Sequence, residues 1–110
     1  MESSSVAVAV EAATQGSADA FEDLYDEYAG PLQGYVRKTI GDSDHAEDLC
    51  QEIWLKAYHG LKTLRYPEAF SSWLYQLALH TSLSDRRKQH RRDLLAPVVT
   101  DPESIEIDGN

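Results

Sequence analysis

Three groups of residues in this chain could do chemistry. The first is acidic: Glu47, Asp48 and Glu52 fall within one helical stretch, close enough for paired-carboxylate work. General acid–base catalysis also needs a proton partner at the right spacing, and no histidine offers these carboxylates a convincing one. The second group could ligate metal: His45, His59, His80, His90 and Cys50. These residues span three elements and form neither an HExxH nor a CxxC pattern, so the spacing argues against a metal site. Cys50 is the only cysteine and reads as a small buried apolar residue on a core stripe. The third group is basic. Arg86, Arg87, Lys88, Arg91 and Arg92 occupy one seven-residue stretch. Such a cluster neutralises phosphates and releases their counterions. Tyr66 and Tyr75 stand off the apolar stripes, where aromatic faces can stack on unpaired bases for about 1–3 kcal/mol each. No nucleophile–base pair and no glycine-rich phosphate loop accompany them; a basic run of this kind is most often a solvated helix end, but its density on an otherwise acidic chain favours phosphate contact. No enzymatic activity and no cofactor are expected.

The elements that must position these groups are helical. A chain of 110 residues with 42% hydrophobic composition suits a single domain. No apolar run approaches the ~20 residues of a membrane span. Glu2 stands where a signal peptide needs positive charge, and Val6 to Val10 is too short an apolar stretch for one. A cytoplasmic location with no membrane partner is the default. The net charge of −9 hides an asymmetry, because residues 1–30 carry seven acids and no Lys or Arg, while all ten bases lie between Arg37 and Arg92. The local patch, not the net charge, decides whether a phosphate backbone can dock.

Residues 1–5 are polar and expected to be disordered. Val6 to Gln15 predicts a short helix ended by Gly16. Asp19 and Glu22 have capping-box spacing. Apolar residues then recur at helical intervals from Phe21 to Ile40, with a kink or restart expected at Pro31. Asp44 and Glu47 repeat the capping signal before a stripe of Ala46, Leu49, Cys50, Ile53, Trp54, Ala57 and Leu61. Residues 61–68 read as a loop. In the last helix Phe70, Trp73, Leu74, Leu77, Ala78 and Thr81 form the buried stripe, and the basic run follows. The expected fold is all-α, three or four packed helices. The divisions are an N-terminal segment 1–17, a helical domain 18–92 and an acidic tail 93–110.

Two surfaces stand apart from the core. Asp48, Gln51, Glu52, Leu55 and His59 share a second face of helix 44–60. A solvated acidic face is the plain reading, but Leu55 ringed by polar residues has the pattern of a small docking spot. The loop residues Leu64, Arg65, Tyr66 and Pro67 either connect two helices or form a pocket for an extruded base, with Phe70, Ser71 and Ser72 at its rim. Trp54 continues the core stripe, and the place of Trp73 likewise supports core packing. Gln76, Leu79, His80 and Ser84 share one face of the last helix and are candidates for base-edge contacts.

The segments AFEDLYDEYAGPLQGYV (20–36), HAEDLCQEIWLKAYHGL (45–61) and FSSWLYQLALHTSLSDRRKQHRR (70–92) resemble region 2 of the extracytoplasmic-function sigma factors, the compact branch of the sigma-70 family. The preceding AVEAATQGSADAF (9–21) is similar to that family's opening. The resemblance implies that helix 44–60 binds the clamp helices of the RNA polymerase β′ subunit through Asp48, Gln51, Glu52, Leu55 and His59. It implies that the non-template strand of the minus-10 promoter element is read and opened by Arg65, Tyr66, Phe70, Ser71, Trp73, Tyr75, Gln76, Leu79, His80, Ser84, Arg86, Arg87, Lys88 and Arg91. An anti-sigma factor is a further implied partner. The chain departs from the family pattern at His80, where Asn is usual, and at Ser84, where an acid is common and here follows as Asp85. The family's second, minus-35-binding domain is not among these 110 residues. A sigma-like decoy that sequesters an anti-sigma factor without touching DNA is the alternative, against which the dense basic run speaks.

Overall fold

A computed structural model describes residues 3–41 and 43–95. They form four α-helices: α1 (Ser3–Thr14), α2 (Ala18–Ile40), α3 (Ser43–Gly60) and α4 (Phe70–Leu95). Two 3-10 turns, Leu61–Thr63 and Pro67–Ala69, join α3 to α4. The all-α expectation and the helix count agree with this architecture.

Several boundaries differ from those expected. Helix α1 begins at Ser3, so residues 3–5 are helical. The cap of α2 is Ser17, whose Oγ accepts a hydrogen bond from the Ala20 amide at 3.1 Å. Asp19 instead sits in the first turn, where a carboxylate favours the helix dipole. Asp44 likewise lies inside the first turn of α3. Both acids carried a capping pattern because first-turn carboxylates and caps occupy neighbouring positions. Gly16, at φ 105°, turns the chain between α1 and α2 through a left-handed conformation that only glycine adopts cheaply. Gly41, at φ 70°, closes α2, and its amide donates to the Arg37 carbonyl at 2.8 Å.

Helix α2 runs through Pro31 without a restart. Interior proline costs about 3 kcal/mol, and tertiary packing offsets it. Leu24 before the proline, and Leu32 and Val36 after it, are fully buried in one core. That core also takes Leu49, Ile53 and Ala57 from α3, and Phe70, Leu74 and Ala78 from α4. Helix α1 adds Val6 and Val10, one turn apart, while Val8 between them is 67% exposed. A boundary at residue 17 would therefore cut through a shared core. Helix α1 also packs against the second 3-10 turn, and so braces the α3–α4 connection. At the far end, residues 93–95 continue α4. The tail expected from residue 96 onward lies outside the described residues.

Ser82 is a fully buried member of α4 whose hydroxyl has no hydrogen-bond partner among the described residues. Buried Thr81, beside it, accepts from Lys56 Nζ of α3 at 3.3 Å.

Candidate nucleic-acid and partner interface

The two 3-10 turns and the first turns of α4 enclose an open hollow of about 330 Å³. It is lined by Thr63, Leu64, Arg65, Tyr66, Ala69, Ser72, Trp73 and Gln76. Local chemistry makes it. Thr63 Oγ1 donates to the Gly60 carbonyl at 2.6 Å, closing the first turn. Pro67 supplies the fixed φ that starts the second. Between them Arg65 and Tyr66 are exposed, Tyr66 at 59%. Trp73 forms the floor, half-buried, 5.9 Å by ring centroid from Phe70. Its indole lies over Gly60, where an added Cβ would stand 3.3 Å from the ring. Trp73 thus packs on the core and lines the hollow at once.

The expected rim needs correction. Phe70 is fully buried and stacks edge-on against Tyr28 at 5.4 Å, so it has no face for DNA. The rim serine that lines the hollow is Ser72; Ser71 is exposed beside it. Tyr75 is half-buried and packs edge-on against Tyr35 of α2 at 5.2 Å, away from the hollow. Burial, with the neighbouring Tyr28 and Tyr35, pushes its phenol above the ordinary value of 10.0. An off-stripe position suggested exposure, but the length of α2 brings Tyr35 over it.

Along α4 the hollow's wall continues into Gln76 and His80, both exposed, with Leu79 and Ser84 partly covered. Beyond them Arg86, Arg87, Lys88, Arg91 and Arg92 are all exposed. One helix therefore carries a polar face followed by a cationic arm. The basic run is not free-standing at its root. Arg86 Nη1 donates to the Thr39 carbonyl of α2 at 3.3 Å, and Asp85 Oδ1 lies 3.0 Å from His45 Nε2 of α3.

The second surface is a groove of about 760 Å³ between α2 and α3. Gln51 and Leu55 form one wall with Glu47 and Cys50, and Phe21, Tyr25 and Gln33 form the other. Leu55 is 61% exposed. Asp48, Glu52 and His59 are exposed on the same helix but do not line the groove. Glu52 pairs with Lys56 one turn on, at 3.2 Å. The sequence pattern places Phe21, Tyr25 and Trp54 on apolar stripes but reveals neither the groove they line nor the part of Tyr58. Phe21 meets Trp54 and Tyr58 edge-on at 5.9 and 5.2 Å, and Tyr25 meets Trp54 at 5.0 Å. Tyr25 and Tyr58 are both largely exposed. Their signal was present: each stands four residues after a stripe aromatic, at the edge of the apolar face. Cys50 is half-buried in the groove, not sealed in the core. Burial pushes its thiol above the ordinary 9.0, partly offset by Arg37 and reinforced by Glu47.

Among the described residues no cluster of three or more metal-ligating side chains occurs, and no helix is long and apolar enough to cross a membrane.

Comparison with known proteins accords with this arrangement. The chain is 32% identical over 83 residues to the RNA polymerase sigma-H factor of Pseudomonas aeruginosa, covering 76% of this chain and 43% of that one. It is 31% identical over 75 residues to the ECF RNA polymerase sigma factor SigW of Bacillus subtilis, covering 68% and 40%. It is 32% identical over 102 residues to the ECF RNA polymerase sigma-E factor of Escherichia coli, covering 93% and 51%. The chain thus spans about half the length, or less, of these relatives. The family described as Sigma-70 region 2 matches residues 24–92, which include α2 from Leu24, α3, both 3-10 turns and α4 through its basic run. The chain belongs to the sigma-70 region 2 family, in its extracytoplasmic-function branch, a family of transcription initiation factors and not of enzymes.

Proposed function

We propose that this chain binds core RNA polymerase through the α2–α3 groove and the exposed face of α3, and reads the unpaired non-template strand of the minus-10 element with the hollow and α4. It acts in the cytoplasm. Leu55, Gln51 and the exposed rings of Tyr25 and Tyr58 provide an apolar centre. Asp48, Glu52 and His59 provide a charged rim, the usual anatomy of a protein interface. Asp48 and Glu52 suit a basic partner such as the β′ clamp helices. An anti-sigma factor would cover the same apolar groove when the factor is idle.

The observation that carries the DNA reading is the continuity of one face. The hollow of Arg65, Tyr66, Ser72, Trp73 and Gln76 leads along α4 past His80 to the exposed cations Arg87 and Arg91, with Lys88 and Arg92 at its flank. A base flipped into the hollow would stack on Tyr66 or Trp73 and meet Arg65 and Gln76 at its edges. The cations would hold the adjoining phosphates without reading sequence. Strand opening follows from capture, because a base held in the hollow is withdrawn from its pair.

Fluorescence anisotropy of this chain assembled with core polymerase, on fork-junction DNA across a salt series, tests both surfaces. Arg86→Ala with Arg87→Ala weakens all sequences alike and flattens the salt dependence by about 0.7 per lost contact. Tyr66→Ala erodes discrimination between minus-10 sequences and leaves the slope intact. Leu55→Asp weakens assembly with core polymerase while helix content stays unchanged. Equal affinity for duplex and fork, insensitive to all three DNA substitutions, overturns the DNA reading and favours a decoy.

A further inference from the structure

Helix α4 is 26 residues long, about 39 Å at 1.5 Å per residue. Its first half is set in the core by Phe70, Leu74, Ala78 and Ser82. Past Ser82 no residue of α4 is fully buried. Something other than core packing must fix the direction of the cationic face. Two cross-helix side-chain contacts lie just before the arm, on adjacent residues. Asp85 faces His45 near the start of α3, its side chain mostly covered, and Arg86 bonds to the Thr39 carbonyl near the end of α2. Together they tie α4 to both neighbouring helices at one level.

We propose that His45 and Asp85 are positioning residues for DNA binding. Their ion pair clasps α4 to α3 and so sets where the phosphate-contacting side chains of Arg87, Lys88 and Arg91 point. This inference rests on the DNA reading above. Neither residue contacts DNA in it. The Asp85 carboxylate is repulsive to phosphate, so its presence at the root of a basic run has a purpose only if it is engaged elsewhere, and His45 engages it. The hollow around the contact is lined by Arg86, His90 and Asp93 from α4, while α2 contributes Ile40 and the Thr39 carbonyl.

The test uses this chain assembled with core polymerase on fork-junction DNA. His45→Ala and Asp85→Asn should each weaken DNA binding by about three- to fivefold, as expected for a partly covered polar pair, and lower the salt slope. Asp85→Asn removes an acid beside the arm, so a merely local charge effect would strengthen DNA binding instead. His45→Lys, which can still pair with Asp85, should retain affinity. The exchange His45→Asp with Asp85→His should recover the affinity that His45→Asp alone loses. Assembly with core polymerase should be the same for all. Unchanged affinity and slope in both single neutral variants, with assembly intact, overturns the clasp alone. If Asp85→Asn loses helix content, the exchange His45→Asp with Asp85→His still decides. If the unsubstituted chain shows no preference for fork over duplex, the DNA reading fails and the clasp falls with it.

Discussion

The buried hydroxyl of Ser82 illustrates what single residues contribute here. A polar group taken from water without a partner costs about 1–3 kcal/mol, and Ser82 is fully buried with none. Thr81, one residue earlier, avoids the cost by accepting from Lys56. Ser82→Ala therefore stabilises the domain, by about 1 kcal/mol, which in a chain of this size raises the melting temperature by roughly 4–8 °C. Calorimetry checks it, and a lowered midpoint would show that the hydroxyl is satisfied. Nothing in the sequence marks Ser82, because periodicity says only that a position faces inward and not whether its neighbours offer an acceptor. The exposed aromatics of the groove were hidden for a related reason. Trp54 was assigned to the core from its stripe, and it is buried. The angle at which α2 crosses α3 decides that Tyr25 and Tyr58 emerge at the edge, and no local pattern encodes that angle.

At the level of elements, helical periodicity was legible and helix starts were not. The centres of the stripes on α2, α3 and α4 are buried as expected, among them Leu24, Leu32, Val36, Leu49, Ile53, Phe70, Leu74 and Ala78, while stripe-edge residues such as Tyr25, Cys50 and Trp73 are only partly covered. Caps depend on one side chain's geometry, and at α2 two acids with capping spacing masked the serine that does it. Ser17→Ala should cost about 1 kcal/mol of stability. Asp19→Asn should cost less, about 0.3–1 kcal/mol from the helix dipole. Urea unfolding midpoints compare the two, and the reverse order would return the cap to Asp19. The candidate site was legible where it is linear: Arg65, Tyr66 and Gln76 line the hollow, and the cations of α4 are exposed. Phe70 and Tyr75 were misplaced because their partners, Tyr28 and Tyr35, come from a helix some forty residues earlier. Sequence spacing within α4 carries no information about that distant packing.

Across the whole molecule, stability is distributed unevenly. The core reaches from Val6 to Ala78, and the ten residues from Arg86 to Leu95 lie outside it, with only Gln89 partly covered. A helix that short does not sustain itself in water. Like charges one turn apart, Arg87 with Arg91 and Lys88 with Arg92, disfavour it further. The arm's helicity is therefore borrowed by propagation from the anchored half of α4. Backbone amides at 90–95 should exchange with solvent within the dead time of the experiment, while those at 74–82 exchange only on global unfolding. Fork DNA bound to the assembled complex should slow exchange in the arm and leave the core rates alone. Equal protection along all of α4 in the free chain would contradict this. If the chain reads DNA as proposed, each encounter spends conformational entropy to hold the arm in order, so affinity falls short of what five charges would give on a rigid frame. In exchange, the arm can adjust to the path of a phosphate backbone.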